Sequence, residues 1–544
     1  MRLLFLLSLL AAAVAYARES GPTISSVDHF LRSINVNPAL ISTADKAAGG
    51  IAFTCSVLAH YSVDNSSSCS SSQSSDITDT NHCPSTSSQY LITESSPSYL
   101  TQAHAHFSAT AYRNPACIYT PPTPEAVAVA VRTAVFSSTR FAIRSGGHSF
   151  QTNWANINDQ LLISLSGIRD LEYDPSTQTL RVGFGNRWQD IYNYLAPYNR
   201  LVIGGRQGTV GMALTTGGGL SHSSNEYGWP SQNVLSYTLV LANGTIVTAP
   251  SIASSSTSSP HADLHFALKA GGNNFGVVTH ITMRTVPAAD PVWGGTITYS
   301  ANYTRQFMAA MAEYQARGQV DDVKSAVLPS VGLNAGVISC IVAHMGGVER
   351  PEALRAFLDL PAVADDTRVH ASFAELAAYD VPGAPRWLDA TTTILLDPQT
   401  YVDILDIVAE YSDAMSRLQG GSFWLMPQPV SKSMVEASTS IGDDPMNVTP
   451  AAQLWLTLNL NWSLASDDAA ARRILTAAIA RIEAYTRARG VYDPFKFPVN
   501  SYASQSPFAG FGERSYARLR EASKAYDPSG VFQRLVPGGW KLWR

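Results

Sequence analysis

Arg144-Ser145-Gly146-Gly147-His148-Ser149-Phe150 follows the short apolar run Phe141-Ala142-Ile143. Two adjacent glycines let a backbone approach a ligand closely and take conformations that other residues resist. Successive main-chain N–H groups in such a turn form an anion-binding nest. The unusual member is His148, set inside a cradle that phosphate binding alone does not require. Upstream, Pro121-Pro122-Thr123-Pro124-Glu125 opens a helix, with Thr123 as cap and Pro124 in the first turn. The helix is expected to run through Ala126 to Phe136, and Phe141 to Arg144 returns as a strand. That order puts the glycine loop at a strand end, where ligands sit in α/β sheets.

Two further clusters follow. Gly204-Gly205-Arg206-Gln207-Gly208-Thr209-Val210-Gly211 leads to Gly217-Gly218-Gly219-Leu220, and Gly271-Gly272-Asn273-Asn274-Phe275-Gly276 enters a strand. Such density implies close contact with a ligand or with another backbone. The commoner fingerprints are missing. No G-x-G-x-x-G follows a strand, and no glycine loop ends in Lys-Ser or Lys-Thr. The hydrolase elbow G-x-S-x-G and the zinc helix H-E-x-x-H are absent too.

The chain has 544 residues, enough for two or three packed units. Its net charge of −5 gives no sign of a nucleic-acid partner. Arg2, the apolar run Leu3 to Val14 and Ala15-Tyr16-Ala17 read as a signal peptide over residues 1–17, and therefore as a secreted or secretory-pathway protein. The run is too short to span a bilayer, and no later segment reaches the length a membrane span needs. Export permits disulfides among Cys55, Cys69, Cys83, Cys117 and Cys340. Cys69–Cys83 is a natural local staple, Cys55–Cys117 would then tie the N-terminal segment to the next unit, and Cys340 reads as a buried thiol. The pairing is not fixed by sequence. Cys69, His82 and Cys83 are poorly spaced for zinc, so no metal site is assigned. Sequons at Asn65, Asn243, Asn302, Asn447 and Asn461 are compatible with a glycoprotein.

Residues 62–98, rich in Ser, Thr, Asp and Asn, read as a surface excursion. Strand signals recur at Leu161–Leu165, Thr179–Phe184 and Leu201–Ile203, and Asn243-Gly244 marks a hairpin between Tyr237–Ala242 and Thr245–Ala249. From about 289 to 490, strands such as Lys324–Val331 and Gly336–Ala343 alternate with helices at Arg350–Phe357 and Asp403–Leu418. Another helix, capped by Ser466-Asp467-Asp468, ends near Gly490. This texture is α+β with an antiparallel sheet. A last helix, Glu513–Tyr526, precedes Asp527-Pro528-Ser529-Gly530. No internal repeat is visible.

Arg144 to Ser149 resembles the covalent-flavin loop of the berberine-bridge-enzyme-like oxidoreductases, in the vanillyl-alcohol-oxidase superfamily. The match continues in order through Thr209-Val210-Gly211, Gly217-Gly218-Gly219, Tyr227-Gly228, Asn233-Val234 and Asn274-Phe275-Gly276-Val277-Val278. It closes with Asn500-x-Tyr502 and Tyr526-Asp527-Pro528-x-Gly530-Val531-Phe532. The resemblance implies a two-part FAD-binding domain of the p-cresol-methylhydroxylase type, joined to a substrate domain with an antiparallel sheet backed by helices. Residues 18–113 would be an N-terminal extension, 114–288 the FAD domain, 289–490 the substrate domain, and 491–544 a segment returning to the FAD domain. His148 would bond to the flavin's 8α carbon. Arg144, Ser145, Gly146, Gly147, Ser149, Gln207, Gly208, Thr209, Val210, Gly211, Gly217, Gly218 and Gly219 would line the cofactor. Tyr227, Gly228, Asn233, Val234, Gly276, Val277, Val278 and Asn500 complete the expected set.

One departure is informative. Many relatives attach FAD a second time through a cysteine just before Thr-Val-Gly, and here Gln207 and Gly208 stand in that region. A single histidyl link is therefore expected, with a weaker oxidant and a more open cleft. Val210 aligns with the family's oxygen gate. On the substrate side, Leu454-Trp455-Leu456-Thr457-Leu458-Asn459-Leu460-Asn461 alternates strictly. Its polar face is either a floor over the flavin or a solvent face. A base often comes from a neighbouring strand in relatives, yet Phe423-Trp424-Leu425-Met426-Pro427-Gln428 holds no carboxylate. Tyr502 and Gln428 are therefore the catalytic candidates, and a Tyr502 base would need a lowered pKa. His222 and Glu226 are weaker candidates, each better explained as structural. The implied activity is hydride transfer from a small organic molecule to flavin with reoxidation by molecular oxygen, in natural-product metabolism. The alternatives are a secreted carbohydrate oxidase and a dehydrogenase with another acceptor.

Overall fold

The computed structural model describes residues 24–61, 90–251, 261–288, 291–379 and 385–543. The expected signal peptide, the sequon at Asn65 and the Cys69–Cys83 pair lie outside the described residues.

The first sheet holds β1 (Leu91–Thr93), β2 (Cys117–Tyr119), β3 (Phe141–Arg144) and β4 (Leu161–Ser164), in the order β1-β2-β4-β3. β4 pairs in parallel with both β2 and β3, so its neighbours end together beside the glycine loop. Helix α1 (Gly50–His60) packs on α2 (Pro124–Phe136), and α2 covers this sheet. Thr123 caps α2 as expected, its hydroxyl accepting the Ala126 N–H at 3.3 Å. The disulfide Cys55–Cys117 fastens α1 to β2.

The second sheet contains β5 (Leu171–Asp174), β6 (Thr179–Gly183), β7 (Arg200–Val202), β8 (Val234–Val240), β9 (Ile246–Pro250) and β10 (Val277–Pro287). Its order is β5-β6-β10-β8-β9, with β7 also on β10. Between β6 and β7 runs helix α3 (Trp188–Leu195). The Asn243-Gly244 hairpin is present. Only Gly244 of the pair takes positive φ, +84°, while the Gly244 N–H donates to the Leu241 carbonyl. That is a type I turn closed by a glycine bulge.

The third sheet is antiparallel. It comprises β11 (Val292–Ser300), β12 (Ser325–Gly332), β13 (Val337–His344), β14 (Ala362–Asp365), β15 (Arg368–His370), β16 (Arg386–Leu395), β17 (Ser422–Val430), β18 (Gln453–Trp462) and β19 (Tyr492–Asp493). The order is β14-β11-β13-β12-β17-β18-β16-β19, with β15 beside β11. One face is backed by helices α4 (Thr304–Glu313), α5 (Pro398–Ser416) and α6 (Asp468–Ala488). The expected helix at Arg350–Phe357 is only a 3₁₀ turn, Glu352–Leu354, and one α-turn, Arg355–Leu358. The proposed cap on α6 is also corrected. Asp467 makes no side-chain cap bond, and Asp468 instead receives Arg386 and Trp462 Nε1.

All ten residues of β18 are buried. Leu454, Leu456, Leu458 and Leu460 join the core under α5 and α6. The Trp-Thr-Asn face is buried as well, so it is no solvent face. Cys340 is a buried free thiol, as expected. The tail returns to the first core through Phe495, Phe497, Phe508, Phe511, Leu519 and Phe532.

Cys55 and Cys117 are 62 positions apart. A loop of that size, when cross-linked, is worth about 4 kcal/mol in the chain-entropy picture. The double variant C55S/C117S is expected to lose roughly 2–4 kcal/mol of unfolding free energy, read by denaturant titration. An unchanged midpoint would refute the bridge.

Candidate active site

The loop after β3 is shaped by contact between backbones. An added Cβ on Gly146 would lie 2.6 Å from Gly211 Cα, and one on Gly211 would lie 2.4 Å from Gly146 N. The first and second glycine clusters therefore touch main chain to main chain. Gly147 has φ +74°, and a Cβ there would sit 2.5 Å from the Ala105 carbonyl oxygen. The Phe107 N–H donates to the Gly147 carbonyl at 2.9 Å. Among the described residues, the main-chain N–H groups of Gly146, Gly147, His148 and Ser149 donate to no protein acceptor. A run of undonated N–H groups at a glycine turn is a nest for an anion such as a pyrophosphate.

His148 is half-buried. Its Nε2 lies 3.3 Å from Thr209 Oγ1, and its ring stacks on Phe107 at 4.2 Å and 19°. Burial, and then the nearby Arg187 guanidinium, push the imidazole down to about 4. It is neutral at physiological pH, with a lone pair available for bonding. Phe107 meets the edge of Trp387 at 5.0 Å, which connects the loop to β16.

Several expected cofactor residues turn toward protein. Arg144 is buried and gives Nη1 to the Gln102 carbonyl and Nη2 to Ser164 Oγ, so it anchors the loop. Ser145 Oγ donates to the Phe184 carbonyl at 2.6 Å. Gly204 and Gly205 lie on the indole of Trp188, and Gly218 on Met446. Gln207 accepts the Val210 N–H through its carbonyl. Gly217 faces Val499, and Gly219 faces Pro230 and Leu214. Gly228 meets Ser438 and Gly276 meets the Val240 carbonyl. Asn233 holds the carbonyls of Tyr227 and Trp229 while accepting Arg284. Val234, Val277 and Val278 are core residues.

The sheet side supplies the chemistry. Register places Trp387, Asp389 and Thr391 of β16 opposite Asn461, Asn459 and Thr457 of β18. Across β17 the same residues meet Ser422, Trp424 and Met426. Asp389 is buried and was not among the sequence candidates, because it lies on β16 and not on the β17 stretch where relatives often carry a base. A lone acid inside Trp387-Leu388-Asp389-Ala390 was the available signal. Asn459 Nδ2 donates to Asp389 Oδ1, and Asn500 Nδ2 donates to Oδ2 at 2.8 Å. Burial raises this carboxyl to about 6 against those two hydrogen bonds. Gln428 Nε2 reaches Thr457 Oγ1 at 3.2 Å and Asn500 Oδ1 at 3.3 Å, while its Oε1 accepts from Arg206. Gln151 Nε2 donates to the Ser501 carbonyl at 3.2 Å, which joins the His148 loop to this network.

Tyr502 does not meet its stated requirement. Burial raises its phenol, with only a weak opposing pull from Arg472. Its ring packs against the sheet core, so it is not poised as a base. His222 is buried and pushed down to about 3, by burial and then by Arg206. Glu226 sits on the short helix Ser224–Tyr227, away from Asp389's network. Asn461 is corrected as a glycan site. It is 5% exposed, and its amide contacts Asn459 and Ser422 inside the cleft.

A parallel-stranded unit with an anion nest, a neutral histidine at its lip and a facing antiparallel sheet defines a flavin-dependent oxidoreductase. Residues 115–250 match the FAD binding domain family. The chain is 44% identical to the bifunctional solanapyrone synthase of Alternaria solani, over 99% of both chains. It is 30% identical to an FAD-dependent monooxygenase of Penicillium roqueforti, over 80% of this chain and 88% of that one. Its fold matches the BBE-like 1 protein of Physcomitrella patens at TM-score 0.65 and 18% identity, covering 83% and 97% of the two chains. The chain belongs to the berberine-bridge-enzyme-like FAD-linked oxidoreductases of the vanillyl-alcohol-oxidase superfamily. It is an FAD-dependent oxidoreductase of secondary metabolism.

Two outcomes follow from this geometry. G147A is expected to abolish flavin retention, since neither the +74° backbone nor the Ala105 contact tolerates a methyl group; a fully yellow purified variant would refute it. Glycopeptide mapping is expected to find Asn461 unmodified, and an Asn461 glycan would mean that this cleft is open to solvent.

Proposed function

We propose that the chain is an FAD oxidase that acts on a small organic intermediate of natural-product metabolism, with His148 as the sole covalent anchor. The observation that carries this reading is the neutral His148 at the edge of four undonated N–H groups, joined through Gln151, Ser501 and Asn500 to the buried Asp389. Gly146, Gly147, His148, Ser149 and the Thr209-Val210-Gly211 loop would hold the cofactor. Bound there, FAD would supply a hydride acceptor that molecular oxygen can reoxidise, with hydrogen peroxide as the by-product. The 44% identity to a solanapyrone synthase supports a natural-product substrate. The Cys55–Cys117 bridge supports passage through an oxidising compartment, in keeping with an exported protein.

Asp389 is the proposed general base. Near pH 7 its carboxyl is largely ionised and accepts the proton of a substrate hydroxyl. Asn459 and Asn500 each occupy one carboxylate oxygen and fix its plane. Burial keeps the base from being too weak, because a carboxylate raised toward the working pH takes a proton more readily. Trp387 and Trp424, on the same sheet face, offer flat apolar surface to orient a substrate.

The test is acid precipitation of purified protein. A yellow pellet is expected for the wild type, and a yellow supernatant for His148→Ala. A yellow H148A pellet would place the link elsewhere. Asp389→Asn should keep its flavin linked yet reduce it about 10²–10⁴-fold more slowly. The wild-type kcat/KM should rise with pH through about 6 and fall below it, since the protonated acid cannot accept a proton. A flat profile from pH 5 to 8 would remove Asp389 from the role. Reduction under nitrogen followed by air separates an oxidase, which reoxidises at once, from a dehydrogenase.

A further inference from the structure

Among the described residues, Arg206 is a cation with no carboxylate counter-ion beside the proposed base. Its guanidinium Nη2 donates to Gln428 Oε1, and that is its only hydrogen bond among the described residues. No carboxylate pairs with it there. Asp389 is held away by two intervening amides, those of Gln428 and Asn500. Burial pushes the guanidinium down to about 10, with the Tyr379 phenol as the acidic group near it. An unpaired charge in such a place is costly unless a ligand completes it. Behind it lies a cavity of about 20 Å³ lined by His222 and Gln319. That space holds one water at most, so it does not itself take an organic partner.

A second observation concerns the other side of the cleft. Arg113, Arg386 and Arg472 share a single carboxylate, Asp468. Arg386 grips Asp468 through both Nε and Nη2, while Arg472 reaches it at 3.5 Å. Arg113 gives Nε to Asn153 Oδ1 at 2.8 Å and Nη1 to the Tyr112 carbonyl, and it feels Asp468 only through its field, with no ion pair of its own among the described residues. The group borders the site through Asn153, which follows the His148 loop, and through Arg386, which precedes Trp387 on β16. Three guanidinium groups around one carboxylate leave a local excess of positive charge here, in a protein whose net charge is −5.

We propose that the substrate is an organic anion, a carboxylate or an acidic enol, bound by Arg206 and drawn in by the Arg113–Arg386–Arg472 cluster. The proposal rests on reading this cleft as the oxidase site. Arginine is suited to the task, because its planar fork gives an oxyanion two parallel N–H donors. Gln428 fixes one edge of that fork and leaves Nε and Nη1 for the ligand. The rim cluster acts through its field, which concentrates anions near the mouth and weakens with salt.

The test titrates purified flavin-loaded enzyme with benzoate and with benzamide, its neutral isostere, by calorimetry and by flavin absorbance. Benzoate is expected to bind at least about tenfold more tightly. Arg206→Gln should erase that preference and Arg206→Lys should retain part of it, with unfolding midpoints unchanged. Arg113→Gln should weaken benzoate a few-fold at low salt and hardly at all near ~0.5 M salt. Equal affinity for the two probes in the wild type, including no measurable binding of either, overturns the proposal. So does an R206Q variant that keeps the preference but alters flavin reoxidation, which would assign the guanidinium to the cofactor. A colourless wild-type protein would refute the flavin reading itself, and so is distinguishable from both.

Discussion

Contact between the backbones of Gly146 and Gly211 is the constraint on which the site depends. Neither position can carry a side chain without separating two loops that come from different sheets. Their approach brings Thr209 to the His148 imidazole and buries that ring, which, with a smaller push from Arg187, keeps it neutral. The neighbouring glycines at 204, 205, 218, 228 and 276 do a different job. They let Trp188, Met446, Ser438 and the β8 backbone close in behind the loops. The density of glycine is thus mostly a matter of protein packed on protein, with a narrow edge left for the cofactor.

The antiparallel sheet solves a second problem, that of holding opposite charges in a dry cleft without letting them neutralise one another. Asp389 and Arg206 are spaced by Asn500, whose amide donates to the carboxylate, and Gln428, whose amide oxygen accepts from the guanidinium. A direct ion pair would have lowered the carboxyl and spent the guanidinium. The amide spacers keep the first raised and the second available.

Much of the fold was legible. The helix Pro124–Phe136, the strand Phe141–Arg144 and the helix Glu513–Tyr526 stand where capping, periodicity and turn residues put them. The alternation of 454–461 correctly announced a two-faced strand. It could not say that both faces are buried, because burial of the Asn face depends on a facing layer that periodicity does not encode. The same ignorance made Asn461 look like a glycan acceptor. Asp389 escaped because its partners, Asn459 and Asn500, are 70 and 111 positions away. Arg350–Phe357 has helical spacing but forms only isolated turns, since Pro351 is extended and the backbone at Leu354, φ −101° and ψ 5°, breaks the ladder between them.

Asn500 and Ser501 are synthesised after every other member of the network they complete. A chain under synthesis can build the β1–β4 sheet and pack α2 long before either residue exists, and domains fold broadly in that order. Asp389 would then wait without one of its two amide partners, and Gln428 without its bridge to the His148 loop. The proposed base is therefore completed only after residue 500 is made: a chain that stops before it would carry the whole glycine cradle while Asp389 keeps Asn459 as its one amide partner of the two.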